Sequence, residues 1–239
     1  MDWLRKLVGK EGPLKVSFQD LKQEGFSQDT PLESICITAG GDFTPANCAA
    51  MGVKLTRGDY LLVQPYRNTV TYQNLSQFPF ATVNFTTNPL TFAVCALKGE
   101  NAGPHAPESS MEELIQWKDF PVPSLKSAFL SLKCMRETMD DVNIGQRGMF
   151  LLSVKEAAIL TPTLPLTNRA DNLALEAVVH ATRVKIFTEQ ENFSLAKDLL
   201  ATIKRYETYI KANAPENSPA YEAIERVNTF LQPYLSRIT

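Results

Sequence analysis

The sequence predicts a mainly β plus α fold: a small β-barrel over residues 31–165, with an extension over 1–30 before it and a three-helix subdomain over 166–239 after it. Three observations predict it. Between residues 32 and 97 four short β-rich runs, SICITAG, ANCAAMGV, DYLLVQPY and FATVNFT, are separated by Gly, Asp, Asn and Pro. Two longer runs, SLKSAFLSLKCMRETMDDV and RGMFLLSVKEAAIL, contain alternating stretches that suit antiparallel strands joined through Asn143-Ile144-Gly145. Past TPTLPLT the β-branched clusters disappear and apolar residues recur at helical spacing.

Taken in order, the extension opens on the amphipathic set Trp3, Leu4, Leu7 and Val8 and breaks at Gly12-Pro13, which reads as a segment packed on a neighbour. Between the third and fourth β-rich runs, TVTYQNLSQ suits a short helix across the barrel mouth with Asn68 as its N-cap, and a second such helix is expected over Pro89–Ala96. The Gly- and Pro-rich residues 99–123 read as a loop around one short helix at 110–118, with His105 an exposed loop residue. The C-terminal helices are expected at 168–188, 194–213 and 218–236. Their stripes, Leu199, Ile203, Tyr206 and Ile210, then Tyr221, Ile224, Val227, Leu231 and Tyr234, read as core. Short breaks at 189–192 and 214–219 make an antiparallel arrangement the economical one.

Composition narrows the function classes. With 44% hydrophobic residues in 239, the chain has the material for a proper core. Its 24 basic and 26 acidic residues are spread along the chain and leave a net charge of -2, which argues against a nucleic-acid groove and favours a small-molecule ligand. No stretch approaches the roughly 20 apolar residues of a membrane span, and MDWLRKLVGKEGP lacks the apolar run and cleavage site of a signal peptide, so a cytoplasmic location is expected. Cys36, Cys48, Cys95 and Cys134 form no CxxC pair and read as reduced core residues. His105 and His180 are the only histidines, too few for a multi-histidine metal site, and neither has a nucleophile-elbow motif nearby. Dinucleotide-binding and P-loop glycine motifs are absent from the sequence.

Residues 64–86, QPYRNTVTYQNLSQFPFATVNFT, hold the candidate chemistry. Arg67 followed by Asn68, Thr69 and Thr71 puts a guanidinium, hydroxyls and the free N–H groups of a helix start together, a combination that holds phosphate. Asn74, a turn and a half further on, can face the same place. Asn84 is an amide among apolar strand residues, suited to a polyol or a polar ring edge. In ANCAAMGV the small residues Ala46, Ala49, Ala50 and Gly52 let a flat ring approach the backbone, with Asn47, Cys48 and Met51 lining it. Phosphate, polyol and flat ring together describe flavin mononucleotide (FMN). The same residues also fit a plainer reading, a polar turn capping a helix, with Arg67 solvated and Asn84 satisfied by neighbouring backbone.

RNTVTYQNL followed by ATVNFT resembles the flavin reductase pattern, in which Lys or Arg, Asp and Thr precede an Asn-Ile or Asn-Leu and then a strand with Val-Asn. Asn68 stands where that pattern commonly has Asp, which keeps the helix cap and removes a charge. Taken in order, ESICITAG, NCAAMGV, PYRNT, VNFT and NRADNLALEAVVHATRV are similar to the domain-of-unknown-function family 447, an FMN-binding split-barrel family, over residues 33–187. The resemblance implies a split β-barrel with a helical C-terminal part, noncovalent FMN and a homodimer with flavin near its interface. It implies no known reaction, and it does not cover the extension before Thr30.

A second feature lies in NRADNLALEAVVHATRVKIF. Arg169, Glu176, His180 and Arg183 are spaced by seven, four and three residues, which at 100° per residue is one narrow stripe. Such a stripe suits binding of an anionic substrate by Arg169 and Arg183, or proton exchange between His180 and flavin with Glu176 orienting the ring. The favoured reading is a buried salt-bridge ladder joining helix to barrel. The expected function is therefore that of an FMN-dependent oxidoreductase of unspecified substrate. The alternatives are a noncatalytic flavin or pterin-like ligand carrier, and a step in making a pterin-type one-carbon carrier.

Overall fold

The computed structural model describes residues 13–24, 31–40, 46–56, 60–98, 114–140, 146–161 and 168–238. Trp3, Leu4, Leu7, Val8, His105 and the Asn143-Ile144-Gly145 connection lie outside them. The chain divides into two units, residues 1–86 with 104–165 and residues 87–103 with 166–239.

In the first unit, strand alternation closes a barrel. Strands β2 (Leu32–Thr38), β3 (Asn47–Leu55), β4 (Tyr60–Val63), β5 (Phe80–Phe85), β8 (Leu130–Asp140) and β9 (Met149–Ile159) run in the order β9-β4-β3-β2-β5-β8, and β8 pairs back onto β9. All the pairings are antiparallel. Closure leaves no free edge along these strands. Every second residue points inward: Val53 and Leu55, Leu61 and Val63, Ala81, Val83 and Phe85, Leu130, Leu132 and Cys134, and Phe150 and Leu152 form one buried cluster. Two register shifts interrupt the β8–β9 pairing: Lys155 is the extra residue on β9 opposite Lys133/Cys134, and Glu137 the extra residue on β8 between Arg136 and Thr138.

Part of the N-terminal extension belongs to this sheet. Strand β1 (Leu14–Val16) pairs with Ala157–Ile159 of β9, and helix α1 (Phe18–Glu24) follows it. Leu14, Val16, Phe18 and Leu21 pack against the barrel core. Helix α2 (Val70–Gln77) lies against β2 and β3 and sends Leu75 into the same core.

The outer face of β5 and β8 is buried as well, because residues 114–125 lie along it. Instead of the helix expected at 110–118, Leu114–Ile115 is a strand, β6, paired with β7 (Ser124–Leu125). The Thr82 hydroxyl donates to the Pro123 carbonyl at 2.6 Å, Ser124 and Ser131 share a hydroxyl contact of 2.5 Å, and the Trp117 indole donates to Ser124 at 2.8 Å. This polar layer satisfies the hydrogen-bonding groups of that buried face.

Lys133 pins the same segment. Its ammonium is nearly inaccessible, lies 4.1 Å from the centre of the Trp117 ring, and pairs with Asp119 at 2.9 Å and Glu156 at 2.8 Å. Glu156 also pairs with Lys15 of β1. The hydrogen bond from Lys133 holds the Asp119 carboxyl below the usual carboxylate range. At Glu156 burial pushes the pKa up, but hydrogen bonds from Lys133 and Lys15 outweigh it and the net direction is down. Carboxylates with depressed folded pKa values stabilise the fold above their unfolded values, near 4, and lose that contribution as pH falls through the folded values. The urea midpoint is therefore expected to drop as the pH is lowered below about 4. Lys133→Met should flatten that dependence, and an unchanged slope in the variant would assign it to other carboxylates.

Among the described residues the second unit holds four helices. Helices α4 (Arg169–Glu189), α5 (Phe193–Asn213) and α6 (Pro219–Ile238) fall where the sequence places them. The fourth, α3 (Pro89–Ala96), comes from within the barrel's stretch of sequence. It is a helix, as expected, and it packs on α4 and α6. Asn88 caps it by accepting from the Leu90 N–H at 3.0 Å, and Pro89 opens it. Helix α4 buries a stripe of small residues, Ala170, Ala174, Ala177 and Ala181, which lets its neighbours approach closely. No helix among the described residues is long and apolar enough to cross a membrane.

Candidate functional site

The turn before α2 is built by backbone pairing. The Arg67 N–H donates to the Gln146 carbonyl at 2.9 Å and the Gly148 N–H to the Pro65 carbonyl at 3.0 Å, on either side of an isolated bridge between Tyr66 and Arg147. The cap is Thr69 rather than Asn68. The Thr69 hydroxyl accepts from the Tyr72 N–H at 3.3 Å and donates to the Tyr66 carbonyl at 2.6 Å, while Asn68 is exposed in the turn. Both residues are good caps, and the chain uses the one with extended backbone, φ -98° and ψ 153°. With the Gln73 N–H bonded to the Thr69 carbonyl at 3.2 Å, the N–H groups of Val70 and Thr71 are the donors that the helix start leaves open.

Arg67 lies over the Tyr72 ring, 5.7 Å from its centre, and reaches the Tyr72 hydroxyl at 3.4 Å. Tyr72 meets Phe150 edge-on at 5.5 Å. At the other end of α2, Arg136 of β8 donates to the carbonyls of Leu75 and Ser76, the latter at 2.8 Å. A cation on the last carbonyls complements the helix dipole, so Arg136 fixes the helix that carries the candidate residues.

Below the helix start, Asn47, Thr71 and Asn74 come together. The Asn47 amide donates to the Thr71 hydroxyl at 2.9 Å, and both it and the Asn74 amide donate to Thr38, at 3.5 and 3.2 Å. Thr38 is a residue that sequence reasoning missed. It lies in phase with Cys36 of the barrel interior, so its inward direction was there to be found in ESICIT. Met51 faces the same side as Asn47.

Cys48 and Asn84 are on the opposite, outer face of the sheet. Cys48 is fully buried opposite Ile37. The Asn84 amide donates to the Ile35 carbonyl at 3.2 Å and the Thr82 hydroxyl at 3.0 Å, and its oxygen accepts from the Leu125 N–H at 3.0 Å. All four cysteines are free and buried. Burial, helped by the neighbouring Cys48, pushes the Cys36 thiol up to about 12, so it is inert at neutral pH.

The stripe on α4 lies in the helical unit, and the expected buried salt-bridge ladder is not formed. Arg169, Glu176 and Arg183 are exposed, and no ion pair joins any of the four residues among the described residues. The stripe meets α5 through rings instead. Arg169 lies 5.7 Å from the Tyr209 ring centre, and His180 stacks on Tyr206 at 5.9 Å and 27°. Burial lowers the His180 pKa, with Glu176 raising it and Arg183 lowering it further, which favours the neutral ring.

Residues 32–138 match the family model described as the N-terminal domain of the DUF447 proteins of unknown function. No curated protein matches the chain by sequence. Among solved structures, an FMN-bound DUF447 protein from Methanosarcina mazei is similar over 89% of this chain and 100% of its own, with 21% identity and a TM-score of 0.69. An NADH:FAD oxidoreductase from Streptomyces globisporus is looser, with 16% identity, 57% and 79% covered, and a TM-score of 0.44. A flavoredoxin from Methanosarcina acetivorans is looser too, with 16% identity, 54% and 67% covered, and a TM-score of 0.44. Residues 32–138 are therefore similar to the DUF447 N-terminal domain, and the fold is a split β-barrel.

Proposed function

We propose that the protein binds FMN noncovalently, with the phosphate at the start of α2, and that it is an oxidoreductase acting on a small molecule. Arg67, the N–H groups of Val70 and Thr71, and the turn residues Asn68 and Thr69 form the phosphate side. Asn74 and Asn47 supply amides toward the ribityl chain. The single observation that carries the reading is the gathering of Asn47, Thr71 and Asn74 on Thr38, beside a turn that presents an arginine and free helix donors. The M. mazei protein, which has this fold, is FMN-bound. Because Cys48 and Met51 point to opposite faces of the sheet, a flat ring meets one or the other, and Met51 shares a face with Asn47. The reading also takes the chain as a homodimer, which the resemblance of its motifs supports, working in the cytoplasm.

Bound flavin supplies the electron chemistry, while this chain's residues bind and orient it. Protein purified from cells is expected to be yellow, or to take up FMN on titration. Arg67→Ala is expected to weaken FMN by about tenfold or more, the cost of one charge-assisted hydrogen bond. A colourless protein that takes up no FMN would remove the reading, and an Arg67→Ala variant with wild-type affinity would move the phosphate elsewhere.

A further inference from the structure

Two segments are held on the barrel wall with little structure of their own. Among the described residues strand β1 is three residues long and pairs with β9 alone, and β6 and β7 are two residues each. Strands this short are not stable by themselves, so each segment depends on what anchors it. The anchors are linked. On the outer face Lys133 of β8 and Glu156 of β9 stand opposite each other in register and pair at 2.8 Å. Glu156 reaches Lys15 of β1, and Lys133 reaches Asp119 of the covering segment at 2.9 Å. Four alternating charges, Lys15, Glu156, Lys133 and Asp119, therefore run from one segment to the other. The two end side chains are 68% and 63% exposed, while Lys133 in the middle is 4% exposed. Trp117, on the covering segment, lies against its ammonium. The Lys15 pKa is raised, chiefly by its hydrogen bond to Glu156 and in smaller part by the charge of Asp119, so the two ends act on each other.

Each segment also keeps water from the pair it shares with the other, and an ion pair is stronger where water is excluded. Lifting residues 114–125 takes Asp119 and the Trp117 ring from Lys133 and opens the Lys133–Glu156 pair to solvent. That raises the local dielectric around Glu156 and weakens its hold on Lys15. Lifting β1 removes a cation from Glu156 and acts in the reverse direction. We propose that this charge chain couples the two segments as a latch, so that release of either one from the barrel wall loosens the other. The latch does not depend on the FMN reading.

The test is amide hydrogen exchange of the full chain, read by mass spectrometry over residues 13–24 and 114–125. Lys15 is exposed, so Lys15→Met changes the charge without opening the core. It is expected to speed exchange in 114–125 by about twofold to fivefold, the range of one exposed ion pair, although Lys15 belongs to the other segment. Lys15→Arg is expected to restore wild-type exchange. Asp119→Asn is expected to speed exchange in 13–24 by a similar factor, because coupling is reciprocal. Glu137→Gln breaks the Lys155 pair between the same two strands and is expected to leave both segments unchanged. If Lys15→Met loosens residues 13–24 alone, or Asp119→Asn loosens 114–125 alone, there is no latch. Equal acceleration in β3 and β5, or in both segments of Glu137→Gln, also overturns the proposal, since the effect is then a general loosening of the sheet.

Discussion

Asn84→Ala is expected to destabilise the barrel unit by about 2–4 kcal/mol, because the change strands polar groups that have no access to water. The wild-type side chain has no exposed surface and bonds three strands together: the Ile35 carbonyl on β2, Thr82 on its own strand, and the Leu125 N–H on β7. Alanine removes both donor and acceptor at once, and the Leu125 N–H is left facing a small void. The loss should be seen first where residues 114–125 attach. Trp117 reports on that segment, so its fluorescence should shift at a lower urea concentration than in wild type, and the segment should be cut sooner by protease. Wild-type urea behaviour in the variant would mean that these hydrogen bonds are not what holds residues 114–125 in place.

Gly148→Ala is expected to cost about 1–3 kcal/mol through overpacking and to weaken FMN by at least about tenfold. A β-carbon at Gly148 would lie 2.7 Å from Tyr72 Cδ2 and closer still to Cε2. The ring has nowhere convenient to go, since its edge contact is Phe150, a fully buried side chain. Tyr72 therefore turns away from the turn, and Arg67 loses the face on which it lies. Calorimetry measures the first effect and FMN titration the second. If Gly148→Ala binds FMN like wild type, the Tyr72 ring does not set the position of Arg67. In that case the close approach of β9 to α2 matters for packing alone.

The barrel was legible in the sequence because one buried face forces a period of two, and in β2, β3, β4 and β5 that alternation falls in short runs closed by turn residues. The helices were legible for the same reason at a period of 3.6. Periodicity names a face without naming what covers it, and the misreadings follow from that. Asn84 stood out as a polar residue in a strand and was read as facing a ligand. Its partner is the backbone of Leu125, supplied from about forty residues away, which no local pattern records. The stripe of Arg169, Glu176, His180 and Arg183 was a true stripe, and its neighbours are the rings of Tyr206 and Tyr209 on α5. In the candidate site, Asn47, Thr71 and Asn74 were found because amides and hydroxyls next to a helix start are unusual in a barrel wall. Thr38 and Tyr72 were missed because each is ordinary in its own segment and acquires a role only when the fold brings it to the others.

Helix α3 carries a consequence for how the chain is assembled during synthesis. Its buried Phe92, Ala93 and Cys95 pack on α4 and α6, which lie more than seventy residues further on. When α3 leaves the ribosome, the helices it needs have not been made, and the barrel has yet to receive β8 and β9. An eight-residue helix is not stable alone in water, so its apolar surface stays open through the translation of residues 97–238. Neither unit is complete until well after it has begun, and the helical one waits for its last twenty residues. Contacts this distant in sequence make for slow folding and a long-lived exposed segment, PLTFAVCA, that can associate with another chain. The order of the gene thus sets a hazard that the finished structure conceals, and a truncation at residue 165 would make it permanent.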